Sequence, residues 1–239
     1  MLALSNALLR TRVDEIMDRP DLAHDEHQRA LAGLQRINRL SRVAGSLLPH
    51  VLALARELNK REVQLLDVAC GGGDVPIALA RLAREHGVEI RLILADRSPT
   101  ALGLARASAD ACGITSQTIE VDLTADSLPQ ADIVTNSLFL HHLDPPQVVA
   151  ALAQFKAAAR SLLLVNDLQR TRLHVAAATL SCYALTRSKV VRHDGPTSVR
   201  AAFTIAELLD LAGQAGLVGA EVRPVWPYRM LLNWQRDAT

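Results

Sequence analysis

The sequence predicts an α/β fold: a seven-stranded, mostly parallel sheet with helices on both faces, an antiparallel strand at its C-terminal end, and a helical cap at the N-terminus. Three observations lead there. Apolar runs of strand length alternate with helical patterns from about residue 63 onward, and such alternation builds a parallel sheet. The first three runs end in Asp67, Asp96 and Asp122, which puts three carboxylates on the one edge where open α/β sheets hold ligands. Between the first run and the next helix lies Cys70-Gly71-Gly72-Gly73-Asp74, a loop of nearly bare backbone.

The elements follow in order. Residues 13–59 read as helices only, with Leu31, Leu34, Ile37 and Leu40 at helical spacing; Asp18-Arg19-Pro20-Asp21 interrupts the pattern, and residues 43–58 supply another amphipathic stretch. Leu65-Leu66-Asp67-Val68 is the first strand and residues 75–86 the helix after the glycine loop, with Pro76 in its first turn, where a missing N–H is harmless. Residues 90–96 are the second strand, and Ser98-Pro99 starts the next helix as cap and first-turn proline. Residues 119–123 are expected as the third strand, and the fourth begins at Asp132 and leads into the loop through Leu143. Pro145-Pro146 opens a helix to Ala158, residues 161–166 form the fifth strand, and residues 172–185 form a helix. Residues 189–201 read as polar and irregular, 204–216 as a capped helix, and 220–225 with 228–235 as two closing strands.

Composition narrows the function. Lys and Arg number 26 against 25 Asp and Glu, so no broad field favours nucleic acid or an anionic membrane. The three cysteines, Cys70, Cys112 and Cys182, are far apart and lack a C-x-x-C pair, which argues against a disulfide framework or a zinc site. No apolar run approaches the roughly 18 residues that cross a bilayer, and no leader pattern opens the chain, so a cytoplasmic protein without integral membrane association is expected.

The glycine loop states what it holds. Glycine tolerates positive φ and removes the Cβ that would keep a ligand away, and the following helix offers unpaired N–H groups. A dinucleotide would rest its pyrophosphate there, but Asp67 and Asp74 flank the loop and would repel it, and Pro76 stands where a nicotinamide fingerprint wants a small residue. A zwitterionic ligand with a free ammonium suits two carboxylates better. S-adenosyl-L-methionine is such a ligand, with an amino-acid end and a sulfonium but no phosphate.

The pattern D-x-x-x-G-x-G at Asp67, Gly71 and Gly73 resembles the first motif of class I S-adenosylmethionine-dependent methyltransferases, and three further segments stand in the order that family requires, together covering roughly residues 63–166. The resemblance implies the family's Rossmann-like sheet and cofactor contacts from Ala69, Gly71, Gly73, Asp74, Asn136 and Ser137. It also implies a ribose grip from Asp96 with Arg97 beside it, and adenine recognition by Asp122 and Leu123. Residues 15–22, 30–41, 137–143, 167–170 and 194–203 resemble the ubiquinone/menaquinone-type enzymes and those beside aromatic polyketide synthases. That implies a small phenolic or quinol-like acceptor. The expected division is then a cap at 1–62 and a catalytic domain at 63–239, with 168–203 as an insertion on the acceptor side.

Methyl transfer to a hydroxyl needs alignment and removal of one proton. A phenol of pKa near 10 can be deprotonated by a histidine as the bond forms; His141 and His142, after the fourth strand, stand where that base is wanted, and which of them acts is open. The alternative is two histidines that only hold the turn. Arg36, Phe139, Asp167, Arg170, Tyr183, Arg192 and Asp194 are candidate acceptor contacts; alternatively, Asp167, Arg170, Asp194 and Arg200 pair among themselves to hold a long loop shut. Carbon methylation in quinone or polyketide synthesis, a non-catalytic cofactor-binding protein and a nicotinamide oxidoreductase are the rival functions. No metal is expected, and the chain is expected to be a monomer or homodimer.

Overall fold

The computed structural model describes residues 8–13, 43–186 and 188–237. The predicted helices of the cap before Val43, and with them Arg36, lie outside the described residues. After α1 (Val43–Glu57) the chain runs β1 (Glu62–Val68), α2 (Asp74–Glu85), β2 (Glu89–Asp96), α3 (Pro99–Ala111), β3 (Ser116–Glu120) and β4 (Ala131–Ser137). A 3₁₀ turn (Leu140–His142), α4 (Pro145–Ala158), β5 (Ala159–Leu168), α5 (Arg172–Leu185), α6 (Lys189–Ala201), α7 (Ile205–Gln214), β6 (Glu221–Val225) and β7 (Arg229–Gln235) complete it. The sheet order is β3-β2-β1-β4-β5-β7-β6, with β1 to β5 parallel and β7 antiparallel to both β5 and β6. Chain order reverses between β1 and β4. The crevice at that switch point, outside the strands' carboxyl ends, is where such sheets bind ligands.

Strand periodicity divides the core between two faces. Leu65 of β1 lies with α1, α2 and α3 in one apolar cluster, and Leu66 and Val68 lie with α4 and α7 in the other. The alternation continues in β5, where Leu162 and Leu164 join the first cluster and Leu163 and Val165 the second. Helix starts are fixed locally. Ser98 accepts the Ala101 N–H, Asp144 with Gln147 and Thr204 with Glu207 form capping boxes, and each such cap contributes about 1 kcal/mol.

Two expectations are corrected. The third strand is Ser116–Glu120 rather than 119–123, because after β3 the chain turns at once at Asp122. Residues 189–201 are helical. Gly195-Pro196 suggests a break, yet α6 buries Val190, Val191, Asp194, Ser198 and Ala201, a helical stripe, against α5, and Ser188 caps it by accepting from Val191 N–H. Gly195 lies so close to Cys182 that a Cβ there would overlap the sulfur. Close helix packing outweighs the hydrogen bond Pro196 cannot make.

Candidate active site

The loop after β1 is shaped by backbone conformation and tied at both ends. Ala69, Gly71 and Gly73 have φ of 53°, 53° and 74°. Cys70 N–H donates to Ala95 O at 3.0 Å, and Gly73 N–H donates to Cys70 O at 2.9 Å. A Cβ on Gly71 or Gly72 would stand in open space, whereas one on Gly73 would press on Ile77 Cδ1 at 3.1 Å and Ala105 Cβ at 3.2 Å. Gly71 and Gly72 therefore leave a cradle above the backbone, and Gly73 lets the loop pack against α3.

The register sets Asp67 opposite Thr135, whose hydroxyl donates to Asp67 Oδ1 at 2.5 Å. Burial pushes the Asp67 carboxyl up to about 7; the Thr135 hydroxyl opposes this, and the charges of Asp74 and Asp96 add to the rise. Asp96, ending β2, accepts from Gly71 N–H through Oδ2 and from Ser98 N–H through Oδ1, both at 2.9 Å. Three carboxylates thus bear on one glycine loop, an electrostatic setting that attracts a cation and repels a pyrophosphate. Asp122 is exposed, two residues past β3. Its Oδ1 accepts from Thr124 N–H and Oγ1, which holds its carboxyl below the usual range, and Arg97 adds to this. Leu123 packs on the second core cluster, and its carbonyl accepts from Gln154 at 2.7 Å.

At the end of β4, Asn136 donates to Val68 O at 2.8 Å. Its Oδ1, Ser137 Oγ and Asn166 Nδ2 are buried without a partner among the described residues. Such orphans at the ligand edge are what a bound molecule would satisfy. Leu138 takes φ 57°, and the 3₁₀ turn follows. There one carboxylate grips a histidine twice: His141 Nδ1 lies 2.6 Å from Asp167 Oδ1, and His141 N–H donates to Oδ2 at 3.1 Å. Both residues are buried, and the ring of His142 lies 4.2 Å from that of His141. Burial alone would raise the Asp167 carboxyl, but the His141 ring and the bonds from His141 and Leu168 hold it below its ordinary value. Burial, then His141, pushes His142 down to about 3 against the opposing pull of Asp167, so its ring is neutral at pH 7.

The other charged candidates hold the scaffold. Arg170 bonds Leu8 O at 2.7 Å, Ala202 O at 2.5 Å and Glu207 Oε1 at 2.6 Å. Arg192 bonds Thr186 O and Tyr183 O and lies 4.8 Å above the Tyr183 ring. Asp194, buried in α6, lies 3.0 Å from His193. Instead of the mutual pairing of Asp167, Arg170, Asp194 and Arg200, the described residues show three separate partnerships, Asp167–His141, Arg170–Glu207 and Asp194–His193. Phe139 packs on the second core cluster, and Tyr183 is exposed. Sequence reasoning missed Arg229, the charged residue of a strand that is otherwise uncharged. It is buried at the same edge, 3.5 Å from Asn166 Oδ1; burial lowers its pKa to about 10, with Asp167 and Asp74 opposing.

Residues 65–161 match a family model described as a methyltransferase domain. Over that stretch the chain is similar to a methyltransferase domain. No curated protein matches the chain in sequence. Among solved structures, the S-adenosylmethionine-dependent methyltransferase SibL is 23% identical, with 73% of this chain and 50% of that one covered, at TM-score 0.58. An O-methyltransferase family 2 protein from Planctomyces limnophilus, in complex with apigenin, is 20% identical over 73% and 51%, at 0.54. The plantazolicin methyltransferase BamL is 15% identical over 89% and 91%, at 0.64. The chain thus spans about half the length of the first two, and these likenesses establish the methyltransferase fold. The open backbone cradle, the surrounding carboxylates and the orphaned polar atoms fit the cationic, phosphate-free structure of S-adenosyl-L-methionine. Among the described residues, no helix is long and apolar enough to cross a membrane.

Proposed function

We propose that this methyltransferase methylates an oxygen of a small phenolic or quinol-like acceptor, with His141 as general base. The supporting observation is the Asp167–His141 pair at the end of β4. A carboxylate on Nδ1 fixes the ring tautomer and leaves Nε2 as the acceptor of a proton, as in other carboxylate–histidine bases. His142, neutral through burial, serves as a polar wall rather than as the base. S-adenosyl-L-methionine, when bound, would supply an electrophilic methyl on its sulfur. The chain's own residues do the rest. Asp67 and Asp74 face the ammonium end, Asp96 takes the ribose hydroxyls, and Asp122 with Leu123 takes the adenine. Asn136 and Ser137 line the methyl-bearing end, and Phe139 and Tyr183 offer aromatic surface to the acceptor. The apigenin bound in a fold relative supports a phenolic acceptor class.

The test uses S-adenosylmethionine with a ¹³C-labelled methyl and a panel of phenols and quinols. The reading expects an O–CH₃ signal by NMR, with turnover lost in His141→Ala and S-adenosylhomocysteine affinity retained. A C–CH₃ product, or full turnover in His141→Ala, overturns it.

A further inference from the structure

Residues 8–13 run past the histidine turn and bond described residues far away in sequence. Arg10 donates from Nη2 to His141 O at 3.2 Å and to Leu143 O at 2.7 Å, and from Nε to Ala201 O at 2.6 Å. Arg12 donates from Nη1 to His142 O at 2.9 Å and pairs through Nη2 with the Asp144 carboxylate at 3.1 Å. Two guanidinium groups therefore take the carbonyls of three consecutive residues, 141, 142 and 143. The end of a helical turn leaves such carbonyls unpaired, and a cation suits them. The segment is itself anchored: Arg170 holds Leu8 O, Thr11 N–H donates to Arg200 O at 3.2 Å, and the Arg10 guanidinium lies 4.1 Å above the Phe203 ring.

Asp167 restrains the same turn from the inside, through the His141 ring and N–H. Inner carboxylate and outer arginines together leave the backbone carrying both histidines little freedom. We propose that Arg10 and Arg12 are positioning residues, forming an N-terminal strap that holds the catalytic turn at the angle methyl transfer requires. This rests on the reading of His141 as the base. Both reach the turn through the main-chain carbonyls of residues 141–143. Misplacing a catalytic group by about 1 Å costs on the order of a hundredfold in rate, so small slippage of the turn is enough to be felt.

The experiment compares Arg10→Ala, the more exposed and milder Arg12→Ala, and Arg10→Lys with the wild-type chain. Calorimetry with S-adenosylhomocysteine, kcat and KM for a phenol that the wild type methylates, and ¹⁵N-histidine NMR are read in each. The strap predicts kcat lowered by roughly tenfold or more in both alanine variants, cofactor-product affinity within about twofold of wild type, shifted His141 and His142 ring signals, and partial rescue by lysine. Unchanged ring signals in both alanine variants overturn it. So does a loss of kcat that only follows a loss of S-adenosylhomocysteine affinity. Should His141→Ala keep full turnover, the base assignment fails, and the ring signals alone decide whether the strap holds the turn.

Discussion

The two ends of one sheet edge are held by different kinds of bond. Around the glycine loop, the loop's own main-chain N–H groups do the holding over short reaches: Cys70 on the Ala95 carbonyl, Gly73 on the Cys70 carbonyl and Gly71 on the Asp96 carboxylate. Around the histidine turn, side chains do it across long sequence distances, from Asp167, 26 positions away, and Arg10, 131 positions away. A cofactor shared across a fold can be met by backbone that any similar loop supplies. An acceptor particular to one enzyme is met by side-chain partnerships particular to its sequence.

The contrast is broken most directly at Asp167. Asp167→Asn keeps the shape but loses the charge that fixes the His141 tautomer, and turnover should fall by about a hundredfold or more while S-adenosylhomocysteine affinity moves less than about twofold. A parallel fall in affinity measured by calorimetry would erase the distinction between the two ends. Next in size, Gly72→Val places a side chain where the cradle is open. It should cut S-adenosylhomocysteine affinity by at least about tenfold and leave the melting temperature nearly unchanged. Gly73→Ala, at φ 74° and against Ala105, should cost stability as well, by about 1–3 kcal/mol.

The two ends also titrate with opposite sign. The folded pKa of Asp67 is raised to about 7, so its share of stability is full below its unfolded value of 3.8 and is lost as pH rises toward 7. The folded pKa of His142 is lowered to about 3, so its share is full above 6.5 and is lost as pH falls toward 3. In denaturant melts across this window, Asp67→Asn should make stability climb more steeply with pH, and His142→Gln should flatten the climb. Cofactor binding sharpens this, since an ammonium prefers the ionised Asp67: affinity for S-adenosylhomocysteine should rise between pH 5.5 and 7, and Asp67→Asn should abolish that slope. Smallest and most remote, Gly195→Ala should loosen the α5–α6 crossing by about 1–3 kcal/mol without changing cofactor-product affinity.

The same contrast explains what the sequence disclosed. Strand periodicity, Ser98-Pro99, Asp144-Pro145 and Thr204 with Glu207 are local signals, and the elements they predict are present within a few residues. Asp67 and Asp96 are legible as candidates because one stands a residue before the end of β1 and the other ends β2, both beside the glycine loop. Asp122 was legible as a residue but not as the exposed turn that Thr124 makes of it. The partnerships of Asp167 with His141 and of Arg170 with Glu207 join residues brought together only by the fold, which no spacing announces. Helix α6 was hidden because Gly195-Pro196 argues against a helix locally, while the reason for the helix, the close approach to Cys182, lies on another element.

One bond in the cofactor half has a kinetic meaning. Because Asp96 accepts from Gly71 N–H, the cradle is held in shape by the protein's own bond. Hydrogen exchange at Gly71 will then be slow even in the ligand-free protein, little disorder is given up on capture, and tighter or weaker cofactor variants will differ mainly in how quickly they let go.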